Sequence, residues 1–263
     1  IFEYEFLVNK LSNETQKKKE TLYDILKRRS LTNNEWIELK NYSDSIGIAF
    51  FATVAFEDEI KLVEKMGCHS IKIASADVNY NYLINLAAKT GLCIQLDTGN
   101  ATISEIEEAV SEVIKTGNNN IIIHHCPSGY PARFESINLN VIKTLKKMFT
   151  FPIAFSDHSP GYDMDLVAIS FGAKMLEKTI TMNREYPSIE HIMSLEPDEA
   201  YDFVKRIRNV EIAFGSNRRL LSEVEIEKRN YIRRSPYLLE NTSKNTKLAK
   251  LKVDFCRPGL GLT

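Results

Sequence analysis

Two short apolar runs between Pro152 and Pro197 end in polar side chains of the kinds that bind anions and metals or transfer protons. The polar residues are Ser156, Asp157 and His158 after the first run, and Glu177, Lys178 and Thr179 after the second. A helical stretch separates the runs. In a strand–helix–strand unit of this kind, the carboxyl ends of the parallel strands lie at one edge and carry the chemistry. We therefore predict that this segment contains the active site.

A lysine at position 72 interrupts another apolar run, SIKIAS. A charged side chain inside a strand is costly unless it meets an anion. Asp97 and Glu177 stand at the ends of other apolar runs, where the two-residue alternation of strands could turn them toward the lysine. Lys72 therefore predicts either a negatively charged ligand or a buried carboxylate partner, with Asp97 and Glu177 as the candidates.

Other ionisable side chains in these segments have a structural alternative to a role in the site. His158 could be a core histidine bonded to the backbone. One of His124 and His125 must face the helix layer, because neighbouring side chains on a strand point in opposite directions. Glu190 and His191 follow a proline in a loop, where a solvated surface pair is the alternative.

From residue 47 onward, apolar runs of strand length alternate with amphipathic helical stretches. The predicted strands are Gly47–Val54, Ser70–Ser75, Leu92–Asp97, Asn120–Cys126, Pro152–Ser156 and Lys174–Thr181. The predicted helices are Phe56–Met66, Tyr80–Lys89, Ser104–Lys115, Leu139–Met148, Asp163–Phe171 and Asp198–Phe214. Near-continuous apolar strands separated by helices indicate an α/β fold with a parallel sheet covered by helices.

This repeat falls short of the eight strand–helix units of a closed TIM (βα)8 barrel. The pattern fits either a barrel whose first strands are missing from the sequence or an open six-stranded sheet, and we favour the barrel. Ahead of the repeat, residues 14–29 and 33–45 are predicted as helices, the second capped by Thr32 or Asn33. We assign residues 1–216 to the partial barrel domain.

The chain changes character after Gly215. Residues 217–234 are charged and lack the rhythm of strands or turns, so we interpret them as a linker. Residues 235–263 contain short strand-like pieces but are too few to fold alone. We expect them to be the beginning of a second domain.

The composition excludes several classes of function. The 263 residues are 43% hydrophobic and 26% charged, and a net charge of -1 provides no field that would attract nucleic acid or an anionic membrane. No apolar run approaches the roughly 18 residues of a membrane span, and no signal-peptide pattern is present, so we expect a cytoplasmic protein. The four cysteines are far apart, which favours reduced buried thiols over a zinc site or disulfides.

Six motifs, most of them at the predicted strand ends, occur in the order and spacing of the sialic-acid synthase family, which the chain resembles. They are IKIAS (71–75), LDTGN (96–100), HHCPSGYPA (124–132), NLNVIKTL (138–145), FSDHSPG (155–161) and SLEPDE (194–199). The resemblance extends from about Glu20 to Thr263. RRSPYLL (233–239) and CRPGLGL (256–262) resemble the opening of the family's C-terminal antifreeze-like (SAF) domain. The family includes N-acetylneuraminate, legionaminate and pseudaminate synthases and spore-coat polysaccharide relatives.

The resemblance implies a TIM-barrel enzyme of bacterial surface-polysaccharide biosynthesis. Such enzymes condense phosphoenolpyruvate with an N-acylated hexosamine, such as N-acetylmannosamine, to give a nine-carbon nonulosonic (sialic-type) acid and phosphate. The resemblance also implies Mn²⁺ or Mg²⁺ held by two histidines, and a domain-swapped homodimer. By the same comparison, we expect the sequence to lack the first barrel strands and most of the SAF domain.

Residue by residue, the resemblance implies roles for the polar strand ends. Lys72 matches the lysine that binds phosphoenolpyruvate. The residues that contact the phosphate or carboxylate of phosphoenolpyruvate are matched by Ser75, Tyr130 and Ser156. Sugar and acyl-group contacts are matched by Asp77, Glu190 and Arg257, the last reaching over from the other subunit. His158 matches the first metal ligand. We take Lys72, Glu177 and Glu190 as catalytic, and add Asp97 and His191 as substrate-binding candidates.

Position 179 departs from the family pattern. The family's second metal histidine follows the strand-eight glutamate by two residues, and this chain has Thr179 there, after Glu177. Threonine is a poor ligand for Mn²⁺, and one imidazole binds divalent metal weakly. Three interpretations stay open: a metal rebuilt from His158, Glu177 and His191, a reaction without tightly held metal, or an impaired paralogue that binds ligand without turnover. A generic alternative is an aldolase with Lys72 as Schiff-base nucleophile.

Asp97 is a second departure, because many family members have serine there. An extra carboxylate near phosphoenolpyruvate would repel it unless Asp97 were paired with Lys72 or a metal.

Overall fold

The computed structural model describes residues 3–9, 15–186 and 189–261. The chain divides into two compact units, Ile1–Val210 and Glu211–Thr263. The first contains the strand–helix repeat and every element that positions the candidate site. Within the described residues, no helix combines the length and the apolar character needed to cross a membrane.

The first unit begins with an antiparallel hairpin of β1 (Glu3–Asn9) and β2 (Thr15–Thr21), followed by α1 (Leu22–Arg29). The helix predicted over residues 14–29 is therefore wrong in its first half, apart from residue 14, which lies outside the described residues. The sequence TQKKKET favours a helix by local propensity, but pairing with the EYEFLVN strand along its whole length overrides that preference.

The second predicted helix is confirmed as α2 (Asn33–Ser45). Thr32, rather than Asn33, is its N-cap, and Thr32 and Glu35 form a reciprocal capping box. Helix N-termini carry unpaired N–H groups, so a cap of this kind determines where the helix begins.

All six strands of the predicted repeat are present. They are β3 (Ala52–Val54), β4 (Ser70–Ile73), β5 (Cys93–Asp97), β6 (Ile121–His125), β7 (Ile153–Asp157) and β8 (Met175–Lys178). The helices around them are α3 (Glu57–Lys65), α4 (Asn81–Lys89), α5 (Ile103–Lys115), α6 (Phe134–Ile137), α7 (Asn140–Met148), α8 (Asp163–Phe171) and α9 (Pro197–Phe214). The largest difference is at β3, which begins five residues later than predicted, at Ala52 rather than Gly47.

The six strands are parallel and follow one another across the sheet in chain order. Right-handed crossovers between successive strands then place the helices on a single face. The sheet curls with its helices outside, as a half-barrel whose concave face carries the other set of side chains. This arrangement brings the carboxyl ends of all six strands to one rim.

The two faces of the half-barrel sheet differ in chemistry. Ile71, Ile73, Ile94, Leu96 and Ile123 are fully buried and belong to the hydrophobic core that the helices cover. Each such side chain stabilises the fold by about 1.5–3 kcal/mol relative to exposure. The residues that alternate with them are polar and also buried, and they line the concave face: Lys72, Gln95, Asp97, His124 and Ser156.

The second unit includes α10 (Glu223–Ile232) and an antiparallel pair, β9 (Ser235–Leu238) and β10 (Val253–Cys256). α10 lies inside the segment that we interpreted as a linker. Its beginning is specified locally, because Ser222 and Glu225 form a capping box.

Candidate active site

Lys72 is buried in β4, with 7% of its side chain exposed, and contacts two carboxylates. Its ammonium lies 2.8 Å from Oδ2 of Asp97 and 2.5 and 2.6 Å from the two oxygens of Glu177. Burial opposes the charged form, but the two carboxylates outweigh it and raise the pKa of Lys72 above its usual value. The buried-carboxylate partner predicted from sequence is thus present, with both candidates. A protonated lysine disfavours the Schiff-base alternative, which needs a lowered pKa.

A chain of hydrogen bonds crosses the concave face from β4 to β7. Nε2 of Gln95 donates to Oγ of Ser70 at 2.8 Å, and Oε1 of Gln95 lies 3.0 Å from Nε2 of His124. On the other side of the imidazole, Nδ1 of His124 is 3.0 Å from Oγ of Ser156. The Ser156 hydroxyl in turn donates to Oδ1 of Asp97 at 2.9 Å. Buried polar groups that satisfy one another in this way rigidify the site.

The protonation state of His124 follows from its surroundings. Burial first, and then the charge of Lys72, lower the pKa of His124 from 6.5 to about 4, so the ring is neutral at pH 7. Because the amide oxygen of Gln95 faces Nε2, that nitrogen carries the proton and Nδ1 is an acceptor. The one hydroxyl proton of Ser156 therefore has two acceptors, His124 and Asp97.

His124, Gln95 and Ser70 are members of this cluster that we did not predict as site residues. His125 is the histidine that faces the helix layer, with Nε2 2.6 Å from the carbonyl oxygen of Ile137. The signal in the sequence was the alternation on β5, which puts Gln95 on the face of Asp97. The partner of Gln95 depends on the register between β5 and β6, which a single sequence does not specify.

Ser75 begins a short 3-10 turn, Ser75–Asp77, directly beyond β4. The N–H of Gly99 donates to its Oγ at 3.0 Å, so the β4 and β5 loops are joined beside Lys72. Cys126 lies on the same rim. Burial raises the pKa of its thiol to about 12, so it is not a nucleophile at neutral pH.

We expect Gly99→Ala to disturb this junction. A Cβ at residue 99 would lie 2.6 Å from Oγ of Ser75 and 3.0 Å from the carbonyl oxygen of Cys126, so Ser75 must move. The expected cost is about 1–3 kcal/mol of unfolding free energy, measured by urea denaturation. Gly99→Ala/Ser75→Gly should regain part of that loss, because it removes the closer contact. Strictly additive losses in the double variant would contradict the steric explanation.

Tyr130 and His158 meet at the rim beyond β6 and β7, with ring centroids 4.8 Å apart. Nδ1 of His158 is 3.2 Å from the carbonyl oxygen of Pro127. Burial, and then the negative charge of Glu190, raise the pKa of Tyr130. Glu190 has φ of 78°, a left-handed conformation that is strained for a non-glycine residue and is concentrated at functional sites.

The remaining predicted site residues are more distant or separate. Nδ1 of His191 is 2.8 Å from Oγ1 of Thr181, and its ring packs in a T-shaped arrangement with that of Tyr186, with centroids 5.6 Å apart. Asp77 ends the 3-10 turn, where burial, and then Glu59, raise its pKa. Arg257 belongs to the second compact unit, directly after β10.

The candidate metal ligands make other contacts in the structure. Across the described residues, no three His, Cys, Asp or Glu side chains are placed to hold a metal ion together. Glu177 is engaged by Lys72, and His191 by Thr181. The hydroxyl of Thr179 is buried without a hydrogen-bond partner, and a threonine hydroxyl is a poor substitute for imidazole as a ligand of Mn²⁺. We therefore assign no catalytic step to a metal.

A second buried cluster, the Lys178 cluster, consists of Lys178, Asp157 and Asp165 and lies on the other side of β7 and β8. Asp157 stands between the site residues Ser156 and His158, and Lys178 follows Glu177. The ammonium of Lys178 contacts the carboxylate of Asp157 and lies 3.7 Å from Oδ2 of Asp165. The cluster joins β7, β8 and α8 directly behind the candidate site.

The comparison with known protein families identifies the chain. The model of the NeuB family matches residues 3–219. The chain belongs to the NeuB family. A relative of this NeuB chain, N,N'-diacetyllegionaminic acid synthase of Legionella pneumophila, is 30% identical over 272 aligned positions, covering 99% of this chain and 76% of the relative. An uncharacterized protein of Methanocaldococcus jannaschii is 36% identical over 245 residues, which cover 93% of this chain and 73% of that protein.

A solved structure supports the same assignment of the NeuB chain. The crystal structure of N-acetylneuraminic acid (sialic acid) synthetase from Leptospira borgpetersenii serovar Hardjo-bovis, in complex with citrate, superposes with a TM-score of 0.73 at 33% identity. The match covers 78% of this chain and 72% of that one. The predicted membership of the sialic-acid synthase family is thus confirmed.

Proposed function

We propose that this NeuB-family chain condenses phosphoenolpyruvate with an N-acylated hexosamine to give a nonulosonic acid and phosphate. The proposal draws on the named synthases among its relatives. The observation that carries it is the buried, protonated Lys72 at the carboxyl end of a parallel strand, with the hydroxyl of Ser156 bonded to the same Asp97 carboxylate. Ser75 lies just beyond that strand. Cationic and hydroxyl donors in a closed site are what a phosphorylated carboxylic acid requires.

The proposed chemistry forms one carbon–carbon bond. The methylene carbon of the enol attacks the sugar aldehyde, and water adds to the enol's oxygen-bearing carbon. One proton of that water passes through Glu177 to the oxygen of the former aldehyde, which becomes a hydroxyl. The tetrahedral adduct then breaks its carbon–oxygen bond to phosphate, the second water proton leaves with the phosphate, and the keto acid remains. Lys72, Ser75, Tyr130 and Ser156 hold the anionic groups, while Asp77, Glu190 and His191 bind sugar hydroxyls.

Several wider features belong to the same proposal. We infer a full TIM barrel for the functional enzyme, with residues 217–234 as the connection to an SAF domain that begins near residue 235. Arg257 would reach the acyl group in the other subunit of a domain-swapped dimer. Mn²⁺ or Mg²⁺ would be bound by His158, which matches the first of the family's two metal-binding histidines. The reaction would take place in the cytoplasm, as a step toward a surface polysaccharide.

A phosphate-release assay tests the proposal. The purified protein is incubated with phosphoenolpyruvate and a panel of N-acylated hexosamines, with Mn²⁺, Mg²⁺ or EDTA. We expect inorganic phosphate to appear only when a suitable hexosamine is present, together with an equal amount of a nine-carbon keto acid. No release with any hexosamine of the panel, for a chain restored to the full barrel and SAF domain, would refute the synthase function.

An impaired paralogue that binds the sugar or phosphate without turnover is the second candidate, and Thr179 with its unpartnered hydroxyl favours it. Thr179→His separates the two functions. A large joint gain in bound Mn²⁺ and in phosphate release would indicate a catalyst that has decayed. High activity in the unaltered chain, unchanged in the variant, would indicate the synthase as it stands.

A further inference from the structure

The anion-binding donors of the candidate site are already occupied by a side chain of the protein. Oδ2 of Asp97 lies 2.8 Å from the ammonium of Lys72, and its Oδ1 accepts the hydroxyl proton of Ser156 at 2.9 Å. An ammonium on one oxygen and a hydroxyl on the other are the contacts that a bound carboxylate or phosphate would make. Asp97 therefore satisfies two of the four donors that the proposed function assigns to phosphoenolpyruvate.

The two carboxylates on Lys72 differ in their freedom to leave. The side chain of Asp97 is 10% exposed, at the end of β5 and inside the hydrogen-bonded cluster. The side chain of Glu177 is 33% exposed, so it has access to water at the rim. An anionic ligand can displace Glu177 toward solvent, whereas a displaced Asp97 would stay close to the ligand as a like charge.

We propose that Asp97 is an internal competitor for the anionic substrate, an inference that rests on the proposed function for the identity of that substrate. Its carboxylate occupies Lys72 and Ser156 in the free protein and repels a ligand that takes its place. Phosphorylated ligands therefore bind more weakly than they would to Lys72 and Ser156 in the absence of the Asp97 carboxylate. It is a specificity-determining residue, because ligands with fewer negative charges meet less repulsion.

Residue 97 can be substituted without leaving a buried charge unpaired. Without Asp97, Lys72 keeps Glu177 as its counter-charge, so no buried ammonium is left unpaired. Asp97→Asn preserves the shape and removes the charge, although its amide nitrogen replaces one of the two acceptor oxygens. Asp97→Ser introduces a hydroxyl and shortens the side chain. Asp58→Ser is the control, because the side chain of Asp58 is 94% exposed on α3.

The experiment is isothermal titration calorimetry of inorganic phosphate, and separately of phosphoenolpyruvate, into the purified protein and its three variants. We expect Asp97→Asn and Asp97→Ser to bind both ligands about tenfold tighter or more than the unaltered protein, since a like charge within a few ångströms has at least that effect on ionic equilibria. Asp58→Ser should bind as the unaltered protein does. Thermal unfolding of each variant verifies that it is folded.

The outcomes separate this inference from the proposed function. Tighter phosphate binding by both Asp97 variants supports the competition even if no hexosamine gives phosphate release, in which case the synthase proposal alone fails. Equal or weaker phosphate binding by the variants overturns the competition, whatever the activity. A gain with serine but none with asparagine also overturns it, because space and not charge would then be the cause.

Discussion

Lys72→Met is expected to reduce kcat/KM for phosphoenolpyruvate by about a hundred- to a thousand-fold, as the loss of one preorganised charged donor does in other active sites. The ammonium of Lys72 lies between two carboxylates on the concave face. Without it, Asp97 and Glu177 face the substrate as unneutralised anions. The variant should therefore lose affinity for anions as well as catalysis. Steady-state kinetics with phosphate release, and calorimetric binding of phosphate, measure the two losses separately.

The same substitution should also destabilise the fold, by about 3 kcal/mol at neutral pH, because breaking a buried pair leaves a charge uncompensated. Lys61→Met is the control. Lys61 contacts Glu57 at 3.0 Å and Asp58 at 3.2 Å on an exposed surface, and its loss should leave stability and activity unchanged. Similar effects of the two substitutions would contradict the assigned role of Lys72.

Lys72 illustrates how far the sequence could lead. A lysine in an apolar strand requires an anion, and that physical demand was enough to name Asp97 and Glu177 as partners before any contact was known. Whether the anion that Lys72 meets is a bound ligand or a carboxylate of the protein depended on the geometry of the folded chain. Both carboxylates reach the ammonium, because the sheet curls enough for side chains of β4, β5 and β8 to converge on one point.

The network around His124 could not be predicted in the same way. In the run IIIHH, either histidine could face the concave side, and a shift of one residue would exchange them. Only the register of β5 against β6, and of β6 against β7, puts His124 between Gln95 and Ser156. Strand pairing also explains the error at residues 15–21, where the partner strand, rather than local propensity, determines the structure.

The Lys178 cluster shows a further limit, since the sequence gives no sign that α8 supplies a buried acid. Both Asp165 oxygens are buried and, as carboxylate oxygens, lack a hydrogen-bond donor. Burial first, and then the charge of Asp157, raise the pKa of Asp165 from 3.8 to about 8. At neutral pH this side chain is therefore a neutral acid whose proton can be shared with Asp157, and Lys178 balances the one remaining charge.

Lys178→Met is expected to destabilise the protein by about 3–5 kcal/mol near pH 7, because the charge of Asp157 would then be buried without a cation. A loss of this size is a large fraction of the stability of an ordinary domain, so the variant should unfold well below the temperature of the unaltered protein. Differential scanning calorimetry measures the change. Lys115→Met is the matched control, because Lys115 contacts Glu112 at 3.0 Å with 65% of its side chain exposed. A change in the control as large as that in Lys178→Met would contradict the buried-charge explanation.

Asp165→Asn should change the stability in the direction opposite to Lys178→Met, and the size of its effect should depend on pH. Because the pKa of Asp165 is raised in the folded state, the folded protein holds a proton between about pH 4 and 8 that the unfolded chain releases. The contribution of Asp165 to stability is therefore full below about pH 4 and is lost as the pH rises through about 8. Asparagine has no such proton to lose. The variant should gain stability relative to the unaltered protein as the pH rises from 5 to 8. The measurement is the unfolding temperature of both proteins as a function of pH. Parallel curves would show that Asp165 is ionised in the folded protein.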